Sequence, residues 1–457
     1  MPQRLVVVGG DAGGLTAATN ARRLRPAADL QIVVFERGPW ASFSACGEPY
    51  FVSGEIAEFD ALLIRSPEEF AEQGISVHLR HEVTAIDTAA HRVTVRDLES
   101  SRESTVDYDM LVYATGARAR HAPIEGRDLA GVHEMHLLAD ALAVRSVIES
   151  DPRPQRGVVV GGGYVGLEMA EALHVRGLHT TIVASRGGLL GGSIDPEMSE
   201  HLAERVRALG IQVDVGHRVE RINGEGGRVI SVDGEGRTIL ADLVILATGT
   251  EPRVELARAA GLRIGESGGV WVDDHQRTSA PDVYAAGDCA EVTDRITGRP
   301  LNLHLGTIAN RQGRVAGLNI GGVDEVFPGV LGTAITKVHD LEVSRTGVTE
   351  AQARNAGIDV AVATFEATTM AGNWPASTSM RVRALADRAT RQIIGAQIIG
   401  GPTAAKRIDT IAMAIWNSMT VDAMVNVDLS YAPPFSGAWD PVAVAARKLQ
   451  AVLGGVG

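Results

Sequence analysis

Two stretches of the chain carry the same pattern of apolar and polar positions. "RLVVVGGDAGGLTAA" from Arg4 and "RGVVVGGGYVGLEMAEAL" from Arg156 each open with a short β-branched run, pass through a glycine-dense turn and continue into an apolar, alanine-rich stretch. Such a run predicts a buried strand, a tight turn and a helix. Glycines at the turn allow close backbone approach, and the helix start offers unpaired N–H groups and a partial positive charge. Each stretch therefore predicts a dinucleotide site. The second is a full GxGxxG at Gly161, Gly163 and Gly166, whereas in the first Gly9 and Gly14 fit and Asp11 holds the middle position. Both are followed by a second β-branched run, which is the context the motif requires.

The ends of those following runs separate the two ligands. "LQIVVFERG" ends at Glu36, a carboxylate placed to accept hydrogen bonds from ribose hydroxyls, as an FAD half-site needs. "HTTIVASRGG" ends at Ala184, Ser185 and Arg186, with no acid. Ser and Arg there suit a ribose 2′-phosphate, so NADPH is expected, with NADH the alternative. Two matching strands, "YDMLVYATGARA" from Tyr108 and "ADLVILATGTEP" from Ala241, end in Ala-Thr-Gly, where the chain would cross between domains. "TSAPDVYAAGDCAE" from Thr278 predicts a strand leading to Asp288, whose carboxylate would accept from a ribityl chain.

Composition narrows the setting. A chain of 457 residues is long enough for two or three domains with real cores. Its formal charge of −13 argues against nucleic acid or an anionic membrane as partner. Lysine occurs only at 337, 406 and 448, so arginine carries nearly all the positive charge. No apolar run reaches the roughly 18 residues of a membrane span, and the N-terminus enters a strand directly, so a cytoplasmic protein is expected. The two cysteines, Cys46 and Cys289, form no CxxC, no metal-ligand spacing and no disulfide framework.

The two glycine turns, two ATG strands and the GD stretch, in that order, resemble the FAD-dependent pyridine nucleotide-disulfide oxidoreductases over essentially the whole chain. The resemblance implies an α/β fold with two Rossmann-like domains and a C-terminal α+β dimerisation domain. Residues 1–114 and 250–322 are assigned to FAD, 115–249 to NAD(P)H and 323–457 to the dimer interface. It also implies cofactor contacts at Arg37, Val83, Ala114, Thr115, Gly116, Tyr164, Val165, Glu168 and Gly249, with Glu168 near the nicotinamide-flavin contact.

Within that family the chain has neither the CxxxxC pair nor the C-terminal His-Glu pair of two-cysteine members. "CGEPYF" from Cys46 and "YAPPFSGAWDP" from Tyr431 are similar to the single-cysteine branch. Ala12-Gly13, Arg22-Arg23-Leu24 and Tyr431-Ala432-Pro433-Pro434 most resemble its coenzyme A-disulfide reductases, and Ala12 stands where the branch's NADH oxidases and peroxidases place a histidine. The chain departs from that subfamily at Ala45, Glu48 and "AGNWPA" from Ala371. The implied reaction is NAD(P)H-dependent reduction of a small-molecule disulfide, that of coenzyme A or a similar thiol. Cys46 is the nucleophile, its thiolate favoured at a helix start, and Tyr431 of the second subunit of a homodimer is the proton donor. Arg22, Ser42 and Arg65 are candidates for an anionic substrate. An NAD(P)H oxidase, a persulfide or polysulfide reductase, and a ferredoxin-type electron-transfer reductase are the alternatives. Cys289 is read as structural.

Overall fold

The predicted strand Gln3–Val8 lies at the centre of a five-stranded sheet ordered Val283–Ala285, Met110–Tyr113, Gln3–Val8, Leu30–Phe35, Ile75–His78. Every neighbouring pair is parallel, and Val6 stands in register with Val33 on one side and Leu111 on the other. A parallel sheet is covered on both faces, which is why its strands read as unbroken apolar runs. Leu5 and Val7 pack with Leu15, Ala17 and Ala21 of helix Ala12–Leu24. Val6 and Phe35 face the other way, onto Val93 and Val95 of an antiparallel sheet formed by His81–Asp87, Arg92–Asp97 and Glu103–Asp107.

Helix Gly306–Ile320 lies against helix Ala12–Leu24 at a distance only glycine permits. A Cβ on Gly313 would stand 2.3 Å from the Gly13 carbonyl oxygen, and one on Gly317 2.4 Å from that of Ala17. The computed structural model describes residues 2–185 and 187–454. These elements belong to one of its two compact units, made of Met1–Phe51, Ile56–Arg120 and Thr250–Val330.

The other unit comprises Val52–Glu55, His121–Gly249 and Leu331–Gly457. Its first sheet repeats the same plan in parallel strands: Val132–Glu134, Leu243–Leu246, Arg156–Val160, His179–Ala184, Gln212–Val215. The ATG strand again sits beside the glycine-turn strand. Its outer neighbour comes from earlier in the chain, whereas in the first sheet it comes from later. An antiparallel sheet of Arg221–Glu225, Arg228–Gly234 and Arg237–Leu240 covers one face. The C-terminal part is a five-stranded antiparallel sheet, Ala334–Val338, Leu341–Gly347, Ile393–Gly400, Ser379–Asp387, Val360–Thr368, with helices Ile408–Trp416 and Pro441–Val452 against it.

The unit boundaries differ from those drawn on the sequence, for local reasons. Ala117–Ala119 pairs antiparallel with Thr250–Pro252, so the first crossing falls after Arg120 rather than after Ala114. Residues 323–330 stay with the first unit because the Phe327 N–H donates to the Asp274 carbonyl and Arg314 pairs with Glu325. Val52–Glu55 join the second unit, where Arg176 Nε donates to the Val52 carbonyl. Among the described residues no helix is long and apolar enough to cross a membrane.

Candidate active site

The two glycine turns are built alike. Gly9 has φ +112° and Gly161 +127°; a Cβ on Gly9 would stand 2.1 Å from the Ala114 carbonyl oxygen, and one on Gly161 2.0 Å from that of Ala247. Gly14 and Gly166 would each meet the oxygen of their own turn's first glycine at 2.1 Å. The turns part at the middle position. Gly163 ends the second turn with open space where a Cβ would project, at the start of helix Tyr164–Val175. Asp11 stands at the N-cap position of helix Ala12–Leu24 without a side-chain capping bond, and its Oδ1 accepts from the Phe43 N–H at 3.2 Å. Burial, reinforced by Glu36 and Asp288, pushes the Asp11 carboxyl up to about 7 against the backbone donors that hold it down. Glu36 accepts from the Gly10 N–H at 2.8 Å and the Gly38 N–H at 2.6 Å, leaving lone pairs on both oxygens. Burial raises Asp288 to about 6.

Cys46 is exposed, in a single 3₁₀ turn Ala45–Gly47 that leads into helix Glu48–Ser53, and neither cysteine is in a disulfide. Its loop is tied to the first glycine turn. Ser42, at φ +52°, donates its N–H to the Gly10 carbonyl and Phe43 donates to Asp11, while Ser44 donates to the Leu62 carbonyl. Gly47 lets the turn press on Leu62, whose Cδ2 would be 2.5 Å from any Cβ. The acid Glu48, in the helix's first turn, is buried. Beside the loop lies a cavity of about 420 Å³ lined by Asp11, Thr16, Arg23, Ser42, Phe43 and Arg65 among others. The Arg65 guanidinium stands over the Phe70 ring. Two cations and a hydroxyl in one cavity suit an anionic ligand.

Residues 3–313 match the family described as pyridine nucleotide-disulphide oxidoreductase, and residues 333–443 match its dimerisation domain. This chain belongs to that family. It is similar to the NAD(P)H coenzyme A polysulfide/persulfide reductase of Pyrococcus horikoshii, at 39% identity over 98% of this chain and 99% of that one. It is also similar to a coenzyme A disulfide reductase of Staphylococcus aureus, at 30% identity over 95% and 96%. A solved NAD-dependent persulfide reductase from A. fulgidus matches with a TM-score of 0.93 at 37% identity, over 97% of this chain and 82% of that one.

The oxidoreductase uses FAD and NAD(P)H. Its residues fit both groups: each helix starts from a glycine turn, the second with open space at Gly163, and Glu36 and Asp288 present acceptors beside the first. Ala114, Thr115 and Gly116 follow strand Met110–Tyr113, with Thr115 Oγ1 donating to the Arg253 carbonyl. Arg37 is near Arg253, and Val83 is buried in the core at a register break of its strand. In the second unit, Tyr164 is raised by burial. Val165 is exposed, and Gly249 takes φ +97°. Glu168 accepts from Thr336 Oγ1 at 2.8 Å, and burial pushes it up to about 7 although Lys337 pulls the other way. Ser185 is exposed; Arg186 lies outside the described residues. Tyr431 is 55% exposed, in a segment with the exposed Phe435 and Trp439. The Ala371 N–H donates to the Pro433 carbonyl, bringing "AGNWPA" to "YAPP".

Arg22, expected at the substrate, is not among the residues that line the cavity of Ser42 and Arg65: its guanidinium donates to the carbonyls of Arg25, Leu30 and Gly74, at the end of its helix and the starts of two strands. The neighbouring Arg23 lines the cavity instead. Sequence reasoning also missed Gln312, fully buried, which accepts from the Gly287 N–H and donates to the Glu291 carbonyl, so bracing the loop that carries Asp288. A polar residue within the apolar face of its helix was the only signal. Cys289 is buried, its Sγ donating to the Tyr113 and Ala286 carbonyls, with burial pushing the thiol up to about 11; it packs and does not react.

Proposed function

We propose that this oxidoreductase uses NADPH to reduce the sulfur-sulfur bond of a small, anionic thiol's disulfide, coenzyme A disulfide or a close analogue, through Cys46. The observation that carries the reading is the placement of Cys46: an exposed thiol on a loop that is hydrogen-bonded to the first glycine turn and whose Ser42 and Phe43 line a cavity with Arg23 and Arg65. FAD, when bound, supplies the exchange between a hydride and a pair of electrons that sulfur can accept.

Cys46 thiolate attacks one sulfur of the disulfide, forming a mixed disulfide and expelling the first thiolate. Tyr431, from the partner of a homodimer, gives that leaving group its proton. The mixed disulfide then takes up two electrons, its bond breaks, and the second thiolate leaves and takes a proton while Cys46 returns as thiolate. The sum is one disulfide, one NADPH and one proton giving two thiols and NADP⁺. Arg23, Arg65 and Ser42 hold the substrate's anionic part. Support for NADPH comes from the lack of an acid at Ala184-Ser185, and for the dimer from the matched dimerisation domain and the exposed aromatic segment around Tyr431.

A persulfide or polysulfide is the second reading, favoured by the similarity to the P. horikoshii reductase. The same attack applies there, on the outer sulfur-sulfur bond. The test is NADPH consumption with coenzyme A disulfide, coenzyme A persulfide, glutathione disulfide and oxygen in parallel, by wild type and Cys46→Ser. The proposal expects coenzyme A disulfide to be the best acceptor, and Cys46→Ser to lose turnover while its flavin is still reduced by NADPH. Near-normal disulfide reduction by the variant refutes it, and faster turnover of the persulfide shifts it to the second reading.

A further inference from the structure

Asp195 is the N-cap of helix Pro196–Ala208, yet its side chain does not cap that helix. The carboxylate is buried and turned toward the C-terminal sheet instead. Its Oδ2 accepts from Gln397 Nε2 at 2.6 Å and Arg383 Nε at 3.0 Å, its Oδ1 accepts from the Glu350 N–H at 3.0 Å, and its own N–H donates to Gln397 Oε1 at 2.9 Å. Arg383, also buried, continues to Glu197 Oε2 at 2.8 Å, Glu350 Oε2 at 2.6 Å and Thr364 Oγ1 at 2.9 Å. One guanidinium thus holds three carboxylates, two at the start of helix Pro196–Ala208 and one, Glu350, from the C-terminal part of the second unit.

This node lies at the end of the loop that follows strand His179–Ala184. The other end of the loop rests on the second glycine turn. The Leu190 N–H donates to the Gly162 carbonyl at 2.6 Å, and a Cβ on Gly162 would meet the Gly188 oxygen and Leu189 Cδ2, both at 3.1 Å. Between the two anchors, Ile194 donates its N–H to the Leu190 carbonyl, Ser199 Oγ donates to that of Leu189, and Leu189, Leu190 and Ile194 are buried. The loop has a fixed path from the glycine turn to Asp195 and little slack.

We propose that Arg383 is a positioning residue for the pyridine nucleotide: through Asp195 it sets where residues 187–194 stand against the second glycine turn, and so how tightly the adenosine half of the coenzyme is held. The proposal rests on the reading of this turn as the pyridine nucleotide site. A displaced loop changes binding of the coenzyme and leaves the Cys46 chemistry alone, because the hydrogen bonds of the node join residues of the second unit and Cys46 belongs to the first.

The test uses the FAD-loaded protein and four variants. Arg383→Gln removes the node's charge, Gln397→Met removes only hydrogen bonds to Asp195, Arg383→Lys is the conservative rescue, and Arg391→Gln breaks the unrelated Arg391–Asp422 pair as a control. Binding of adenosine 2′,5′-bisphosphate is measured by calorimetry, and KM for NADPH, NADH and disulfide together with kcat by turnover. Arg383→Gln and Gln397→Met are expected to weaken bisphosphate binding and raise coenzyme KM about tenfold, with kcat and disulfide KM within about twofold. Arg383→Lys recovers part of the loss and Arg391→Gln shows none. Removing a buried partner can unfold a protein; should Arg383→Gln fail to fold, Gln397→Met decides. Unchanged coenzyme binding in a folded variant, or an equal rise in disulfide KM, overturns the proposal. A wild type that binds the bisphosphate weakly and uses NADH as well as NADPH refutes the 2′-phosphate reading alone, and positioning then stands or falls on the KM for NADH.

Discussion

Asp11→Asn is expected to stabilise the protein at alkaline pH. Asn keeps an oxygen for the Phe43 N–H and removes a charge that the site disfavours. Raising the Asp11 carboxyl from 3.8 to about 7 corresponds to about 4 kcal/mol against its ionised form. Asp11 lines a cavity, where solvent screens part of that penalty, so about 1–3 kcal/mol is the expected figure. Between about pH 4 and 7 the folded protein holds a proton on Asp11 that the unfolded chain has lost. The contribution of this group therefore falls as pH rises and levels off above about 7. Melting temperatures of wild type and variant, measured from pH 4 to 8, give the difference directly, at about 2–4 °C per kcal/mol. The variant should gain steadily with pH and match wild type near pH 4. A gain that does not change with pH, or a loss at pH 8, refutes the account of Asp11 as a buried, protonatable acid.

Two further predictions concern the backbone and the coenzyme. Gly313→Ala places a methyl 2.3 Å from the Gly13 carbonyl oxygen; the overpacking, about 1–3 kcal/mol, outweighs the roughly 1 kcal/mol that alanine gains in a helix, so the unfolding midpoint in urea should fall. An unchanged midpoint would mean that the two helices separate freely. Arg186→Ala should shrink the preference for NADPH over NADH by about tenfold to a hundredfold, the range of a charged hydrogen bond to phosphate of about 1.5–3 kcal/mol. A ratio of kcat/KM values equal to that of wild type would remove Arg186 from coenzyme selection.

The parts of the fold that were legible in the sequence are those whose physics is local. A buried parallel strand must be apolar throughout and a diphosphate turn must be glycine-rich, so Gln3–Val8, Arg156–Val160 and both turns announce themselves. The first crossing was drawn at Ala114, six residues before the boundary of the compact unit at Arg120, because Ala117–Ala119 pairs with Thr250–Pro252 across more than a hundred residues, which no periodicity near either strand reports. Which of Arg22 and Arg23 lines the cavity was not legible, for a geometric reason. Neighbours on a helix point about 100° apart, and "RRL" alone does not say which arginine meets the strand ends and which the cavity. The Asp195–Arg383 node was invisible for the same reason as that crossing: its members come together only in the folded sheet.

The two turns share their geometry and divide at one atom's worth of space, and that difference follows from what surrounds them. At the second turn Gly163 leaves the helix start open, and the strand after it ends at Ala184, followed by Ser185, without an acid. At the first, burial raises both Asp11 and Asp288 toward neutrality, and the charges of Glu36 and Asp288 add to the rise at Asp11. A diphosphate brought to three ionised carboxylates would be repelled; with Asp11 raised to about 7 it meets less charge near neutral pH. The departure from glycine at position 11 is therefore tolerable because burial lowers its charge. The Phe43 N–H bound to Asp11 makes the same residue an anchor of the loop that carries Cys46. A glycine there would free the turn of charge and lose that anchor.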